Sequence, residues 1–353
     1  MPADPPADAT ADAPADVTGL ELARAFFHEA VAPLIARVMP ALPYSAGLLG
    51  DCSDVIGLDD AVSRDHGWGP RCQLLLPAER FDDVSRQLDA ALAAGLPLGF
   101  RGYSTSYAGM LRVAVDAPPV RHWVDMATPG GFLRNNLGVE RATGIAPREW
   151  LTMRGYSLLN VTAGEMFRDD LGFEEARRAL AFYPDAIRLY LIAADWMKIA
   201  DEQAFLGRAG SRGDEAGSAV IGARLAESLM RLCFQLERRY APYSKWFGSA
   251  FARLTAAAGV HESITRMVTA TGWQERDRHF TDALAAVIAV HEREGLLVAG
   301  KYRPAPVYLG RPGSGLPQFE RGGPPAIVTL IDDIRGQIAD PEVRALAAEL
   351  QPA

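Results

Sequence analysis

Between Gly47 and Leu76 the chain reads GLLGDCSDVIGLDDAVSRDHGWGPRCQLLL. Two apolar runs enclose small and acidic residues, a pattern of strand, turn, loop and strand. In the turn Gly50-Asp51-Cys52-Ser53, small residues let successive backbone N–H groups face an anion, as in a phosphate-binding nest. Ser53 adds a hydroxyl; its plainer reading is a turn residue bonding its own backbone. Asp65 follows after a short loop, where a carboxylate would meet a Mg²⁺ ion carrying the same phosphate. The competing reading of Asp65 is a loop aspartate that caps a turn. If 64–68 is extended, Asp65 and Gly67 share one face while His66 and Trp68 share the other. His66 then reads as a hydrogen-bonding group, because Mg²⁺ prefers oxygen ligands.

Two further groups of cations have phosphate chemistry available. Gly207-Arg208-Ala209-Gly210-Ser211-Arg212-Gly213-Asp214 joins two long helical segments. Arg208 and Arg212, in a glycine-rich turn before a helix N-terminus, can hold phosphate; a solvated loop is the alternative. In Tyr240-Ala241-Pro242-Tyr243-Ser244-Lys245-Trp246, Ser244 reads as an N-cap, so Lys245 projects from a first turn. A cation there opposes the helix dipole. That mild cost suggests a use such as a triphosphate contact, set against an ordinary surface lysine.

The elements that must position these residues follow from apolar spacing. Thr18-Gly19-Leu20-Glu21 fits a capping box ahead of a helix carrying Leu20, Ala23, Phe27, Val31 and Leu34, which Pro33 should bend. A strand is expected at 46–49 and a helix at 79–94, ended by Gly95 and Pro97. Strands are expected at 111–115 and 120–126, parted by Asp116-Ala117-Pro118-Pro119. Past Pro147 the apolar period changes from two to about 3.6, predicting helices at 173–182, 185–206, 214–240, 244–257, 262–271 and 275–294. Short helices at 326–338 and 341–350 follow a Pro/Gly-rich segment, 301–325. The expected fold class is α+β: a disordered tail over 1–17, a small mixed-sheet α/β domain over 18–140, and a helical bundle over 141–353.

Composition sets limits. The 353 residues are 49% hydrophobic and 23% charged, enough for a core in one large or two ordinary domains. A net charge of −8 argues against a protein that coats nucleic acid. Cys52, Cys72 and Cys233 have no paired spacing, so neither a disulfide framework nor a zinc site is expected, and the chain reads as cytoplasmic. The first sixteen residues lack a basic start and an apolar run, unlike a signal peptide. No run of eighteen apolar residues predicts a membrane helix.

Around Ser53 and Asp65 the chain resembles the nucleotidyltransferases of the DNA-polymerase-beta type. Their pattern is a strand ending in Gly-Ser or Gly-Gly, a spacer, then two alternating carboxylates. More narrowly it resembles a bacterial family designated domain of unknown function 4037. Ser53, Gly57, Asp59, Ser63, Asp65, His66, Trp68, Gly69 and Pro70 match that family's pattern. The segments around Arg208 and Lys245 resemble it too. Two positions depart: Cys52 stands where the family has Gly, and Gly67 where it has the second carboxylate. The resemblance implies a third carboxylate on a neighbouring strand, for which Asp125 is the candidate and Asp116 the rival. It implies a nucleoside triphosphate and Mg²⁺ on Asp65 and Asp125, the phosphates held by Ser53, Arg208, Arg212 and Lys245. The reaction would move a nucleotidyl group to an acceptor hydroxyl on a small molecule, protein or RNA. The missing carboxylate at Gly67 favours another reading, a relative that binds a nucleotide or metabolite without transfer, as a sensor or scaffold. One of Asp51, Asp54, Asp59 and Asp60 would have to compensate.

Overall fold

A computed structural model describes residues 17–64, 67–110, 112–116, 118–304 and 327–350. Asp65 and His66, the tail up to residue 16 and most of the Pro/Gly-rich segment lie outside the described residues. The chain is a mixed α/β protein that divides into two compact units. One takes the chain up to Ile145 and again from Met153 to Ala181. The other takes Ala146–Thr152 and the chain from Phe182 onward.

The first unit begins with α1 (Gly19–Phe26), where Thr18 and Glu21 close the expected capping box. The bend expected at Pro33 takes the form of a π-turn over Phe27–Val31. Pro33 follows that π-turn, in α2 (Ala32–Val38), within one continuous helical run. The chain continues through β1 (Ser45–Leu48), β2 (Arg71–Leu75) and α3 (Phe81–Gly95). Four two-residue strands follow: β3 (Gly99–Phe100), β4 (Tyr103–Ser104), β5 (Tyr107–Ala108) and β6 (Val113–Ala114). They pair as two small hairpins. Next come β7 (Trp123–Ala127) and α4 (Pro129–Leu137). After α5 (Pro147–Thr152), which belongs to the other unit, the chain returns through α6 (Gly155–Thr162), β8 (Glu165–Asp169) and α7 (Phe173–Ala179).

The sheet has the order β7-β2-β1-β8. β1 runs antiparallel to β2 and β8, and β7 runs parallel to β2. Side chains alternate between its faces. Ala46, Cys72, Leu74 and Val124 point into a core made with Phe26, Phe27, Val31, Leu34 and Ile35 of the first helices and Val84, Leu88 and Leu92 of α3. Truncating Leu88 to Ala there is expected to cost about 2–5 kcal/mol. The other face carries the polar Arg71, Gln73 and Asp125 beside the buried Trp123.

β8 departs from the expectation of an all-helical chain past residue 145. Glu165–Asp169 is half polar and has no strand signature of its own; pairing with β1 makes it a strand. The first unit therefore runs past the expected boundary at 140.

The second unit is helical: α8 (Asp185–Gly210), α9 (Glu215–Leu236), α10 (Ser244–Phe251), α11 (His261–Thr269), α12 (Trp273–Arg293), α13 (Ile327–Gly336) and α14 (Pro341–Ala348), with α5 against α8. The 26-residue α8 is its longest helix, roughly 39 Å at 1.5 Å per residue. It packs against α9, α12, α13 and α14 and buries Ile187, Ile192, Trp196, Ile199 and Leu206. Among the described residues no helix is long and apolar enough to cross a membrane.

Candidate functional site

The turn after β1 is unusual in its backbone. Cys52 has φ +92°, a region that disfavours residues with a Cβ. It is the position at which the resembled family carries Gly. The second departure lies against the first. A Cβ placed on Gly67, itself at φ +64°, would come within 3.0 Å of Cys52 Sγ. The thiol therefore fills the space that a carboxylate at 67 would enter. Burial pushes the Cys52 pKa up to about 12, so the sulfur stays protonated and is no nucleophile.

Most of the carboxylates near this turn are committed to the fold. Asp54 takes the buried Arg71 guanidinium in a fork, Nη2 to Oδ1 at 2.6 Å and Nε to Oδ2 at 3.1 Å. Asp59 Oδ2 accepts from Gly19 N–H at 2.8 Å and from Trp68 Nε1 at 2.9 Å. Asp60 Oδ1 accepts from the backbone N–H and hydroxyl of Ser63 at 2.8 and 2.7 Å. Asp51 differs: its carboxylate is exposed, and Cys52 Sγ lies 3.8 Å from it. Ser53 is buried, and its carbonyl accepts from Leu58 N–H.

Arg71 links this turn to Asp125. Its Nη2 also donates to Asp51 O at 3.2 Å, and its guanidinium lies 4.7 Å from the centre of the Trp123 ring. Burial alone would lower the Arg71 pKa, but Asp54 overcomes it and the net shift is upward. Trp123 faces Arg71 across the parallel strands, and Asp125 faces Gln73 two residues further on. Asp125 thus lies on β7, the strand neighbouring β2. Trp123 Nε1 donates to its Oδ2 at 2.9 Å, and Arg112 Nη2 to its Oδ1 at 2.8 Å. Both partners of that last ion pair reach solvent. Arg112 comes from the β5–β6 hairpin, where it holds φ +53°. The rival Asp116 is exposed beyond β6.

These residues make a sheet face that is buried at Arg71 and Trp123 and reaches solvent at Asp125, with a guanidinium seated on the carboxylate that was expected to take a metal. Among the described residues no group of three or more His, Cys, Asp or Glu side chains could hold a metal ion. Of the two expected Mg²⁺ ligands, Asp125 is described and is paired with Arg112. Asp65, the other, lies outside the described residues.

The cations of the second unit differ from expectation locally. Gly207 and Gly210 do not open a turn; α8 runs through them. A Cβ on Gly210 would meet the Trp273 ring at 2.1 Å, so this glycine permits close packing of α8 on α12. Arg208 therefore projects from the last turn of a helix, its guanidinium 5.8 Å from the Phe205 ring. Arg212 is exposed in the short connection, where Gly213 takes φ +84°. Tyr243, not Ser244, occupies the N-cap of α10. Lys245 is exposed, with Nζ 5.0 Å from the Trp246 ring. Arg208, Arg212 and Lys245 belong to the second unit, Ser53 and Asp125 to the first.

Arg71, Arg112 and Trp123 were not anticipated. The available signals were weak: an arginine opening an apolar run, and one following Gly-Met-Leu between short strands.

Residues 150–247 match the family described as Domain of unknown function (DUF4037), the family resembled around Ser53, Arg208 and Lys245. No curated protein and no solved structure matches the chain.

Proposed function

We propose that the first unit binds a nucleotide or a related phosphorylated metabolite at the open face of its sheet, as a relative of the nucleotidyltransferases. The carrying observation is the Arg112–Asp125 pair, half-exposed on the strand next to β2. In the resembled enzymes a metal ion supplies the positive charge at that carboxylate. Here a guanidinium supplies it and offers further donors to a phosphate. Ser53, in the turn after β1, is the second phosphate contact. Arg208, Arg212 and Lys245 are assigned to phosphates only by the resemblance.

Transfer of the nucleotidyl group is the second reading, with Asp65 and Asp125 as catalytic carboxylates, Mg²⁺ arriving with the triphosphate, and an unidentified acceptor hydroxyl. The exposed Asp51 carboxylate, which accepts from the Cys52 thiol, favours it as the group that would compensate for Gly67. Calorimetry with ATP, with and without Mg²⁺, separates the two. On the binding reading ATP binds without metal, and Arg112→Ala weakens it about tenfold or more, the loss of a charge-assisted hydrogen bond. If ATP binds only with Mg²⁺, Asp65→Ala abolishes that binding and pyrophosphate is released, the transfer reading replaces it. If ATP does not bind at all, both fall.

The two departures suggest a second variant. Gly67→Asp alone meets Cys52 Sγ, whereas Gly67→Asp with Cys52→Gly restores the space and relieves the backbone at 52, leaving only the strain of an Asp at φ +64°. Mg²⁺ affinity should rise in the double variant and much less in the single one.

A further inference from the structure

The start of α8 holds two arginines and few acceptors. Arg188, one turn into the helix, has 9% of its side chain exposed. Its guanidinium folds back toward the helix start, with Nε 3.5 Å from Oδ1 of Asp185. Arg238, two residues past the end of α9, donates from Nη2 to that same oxygen at 2.6 Å. Both guanidiniums therefore converge on one oxygen. Nε of Arg188 is buried and has no hydrogen-bond acceptor. An unsatisfied buried donor of this kind is destabilising, the more so when charged.

Three further features mark the same place. Pro184 precedes the helix and supplies no capping side chain, so the first N–H groups of a long helix end at this spot. Arg238 holds φ +53°, a strained conformation for a residue with a Cβ. Asp185 is 67% exposed, so it can swing away from the arginines at little cost. The other titratable groups are accounted for. Glu294, at the end of α12, acts weakly in favour of the Arg188 charge. His291 is buried and neutral, held by Trp196 and by Val287 O. Burial and Arg238 still outweigh Asp185 and Glu294, leaving the Arg188 pKa below the ordinary arginine value.

We propose that Arg188 and Arg238, at the N-terminus of α8, form a binding site for a phosphate-type oxyanion, free or carried as a monoester by a small molecule. Asp185 occupies the two guanidiniums until the anion displaces it. A tetrahedral oxyanion has acceptors enough for Nε of Arg188, for Arg238 and for the helix N–H groups together. This site lies wholly in the second unit and does not depend on nucleotide binding by the first.

The test uses the full chain and inorganic phosphate, followed by ³¹P line broadening and by thermal unfolding at ionic strength held constant with chloride. Glycerol phosphate in a parallel arm distinguishes a free ion from a monoester. Saturable binding is expected, weakened about tenfold or more by Arg188→Gln and by Arg238→Gly. The Gly variant keeps the left-handed backbone, so it stays informative if Arg188→Gln folds poorly. Asp185→Asn should tighten binding a few-fold. Absence of saturation overturns the proposal. So does saturable binding that Arg238→Gly and Asp185→Asn both leave unchanged, since the phosphate would then sit elsewhere.

Discussion

Arg71 and Arg188 are both nine-tenths or more buried, and their surroundings treat the charge in opposite ways. Arg71 meets a fully buried carboxylate in a two-pronged bond, a backbone carbonyl and an indole face. Its pKa rises despite burial. Arg188 shares one exposed carboxylate with a second arginine, leaves a buried N–H without an acceptor, and has its pKa lowered. A buried cation whose acceptors are complete is a structural part. One whose acceptors are incomplete is either a defect or the uncompleted half of a binding site.

The contrast can be broken most forcefully at Arg71. Arg71→Met strands Asp54 without its partner, and loss of one member of a buried pair costs about 3–5 kcal/mol. Urea denaturation should show that loss in the first unit. A loss below about 1 kcal/mol would mean that the fork contributes little.

A pH effect in the second unit comes next. Burial lowers the His291 pKa from 6.5 to about 4. The folded state holds the imidazole neutral while the unfolded chain takes up a proton. Stability is therefore complete above pH 6.5 and falls as pH drops toward 4, by about 3 kcal/mol over that range. His291→Gln should flatten that slope. Arg188 contributes to the lowering, so Arg188→Met should move the His291 titration upward, readable by NMR.

Asp125→Asn acts on an exposed pair and should change stability by less than about 1 kcal/mol. On the binding reading, nucleotide binding should be kept or tightened without loss of stability, which would separate it sharply from Arg71. The smallest stability effect is expected at Arg188 itself. Arg188→Met removes an under-compensated charge and should be neutral or mildly stabilising, by up to about 1 kcal/mol. A large destabilisation would show that Arg188 is structural after all.

What was legible in the sequence follows the range of the forces involved. The capping box at Thr18 and the stripes of α8, α9 and α12 are local and were readable. β8 was not, because its strand character comes from pairing with β1, more than a hundred residues earlier. Gly210 was read as a turn residue because sequence does not distinguish a glycine that bends the chain from one that admits Trp273. At the candidate site the strand carrying Asp125 was readable, but its partners Arg112 and Trp123 depend on sheet register and a hairpin that spacing does not reveal. The conflict between Cys52 and Gly67 required the backbone angles.

That late return of β8 also sets an order on synthesis. The chain leaves its first unit after Ile145, contributes one short helix to the second, and comes back at Met153. Until Asp169 has cleared the ribosome, β1 has an unpaired edge, with N–H and C=O groups open to any extended segment nearby. Nascent chains released before that point would carry the core helices α1 to α3 and a three-stranded sheet unpaired along β1 as well as along β7. Chaperones that recognise unpaired strand edges would meet this protein at an intermediate length, rather than at its beginning or its end.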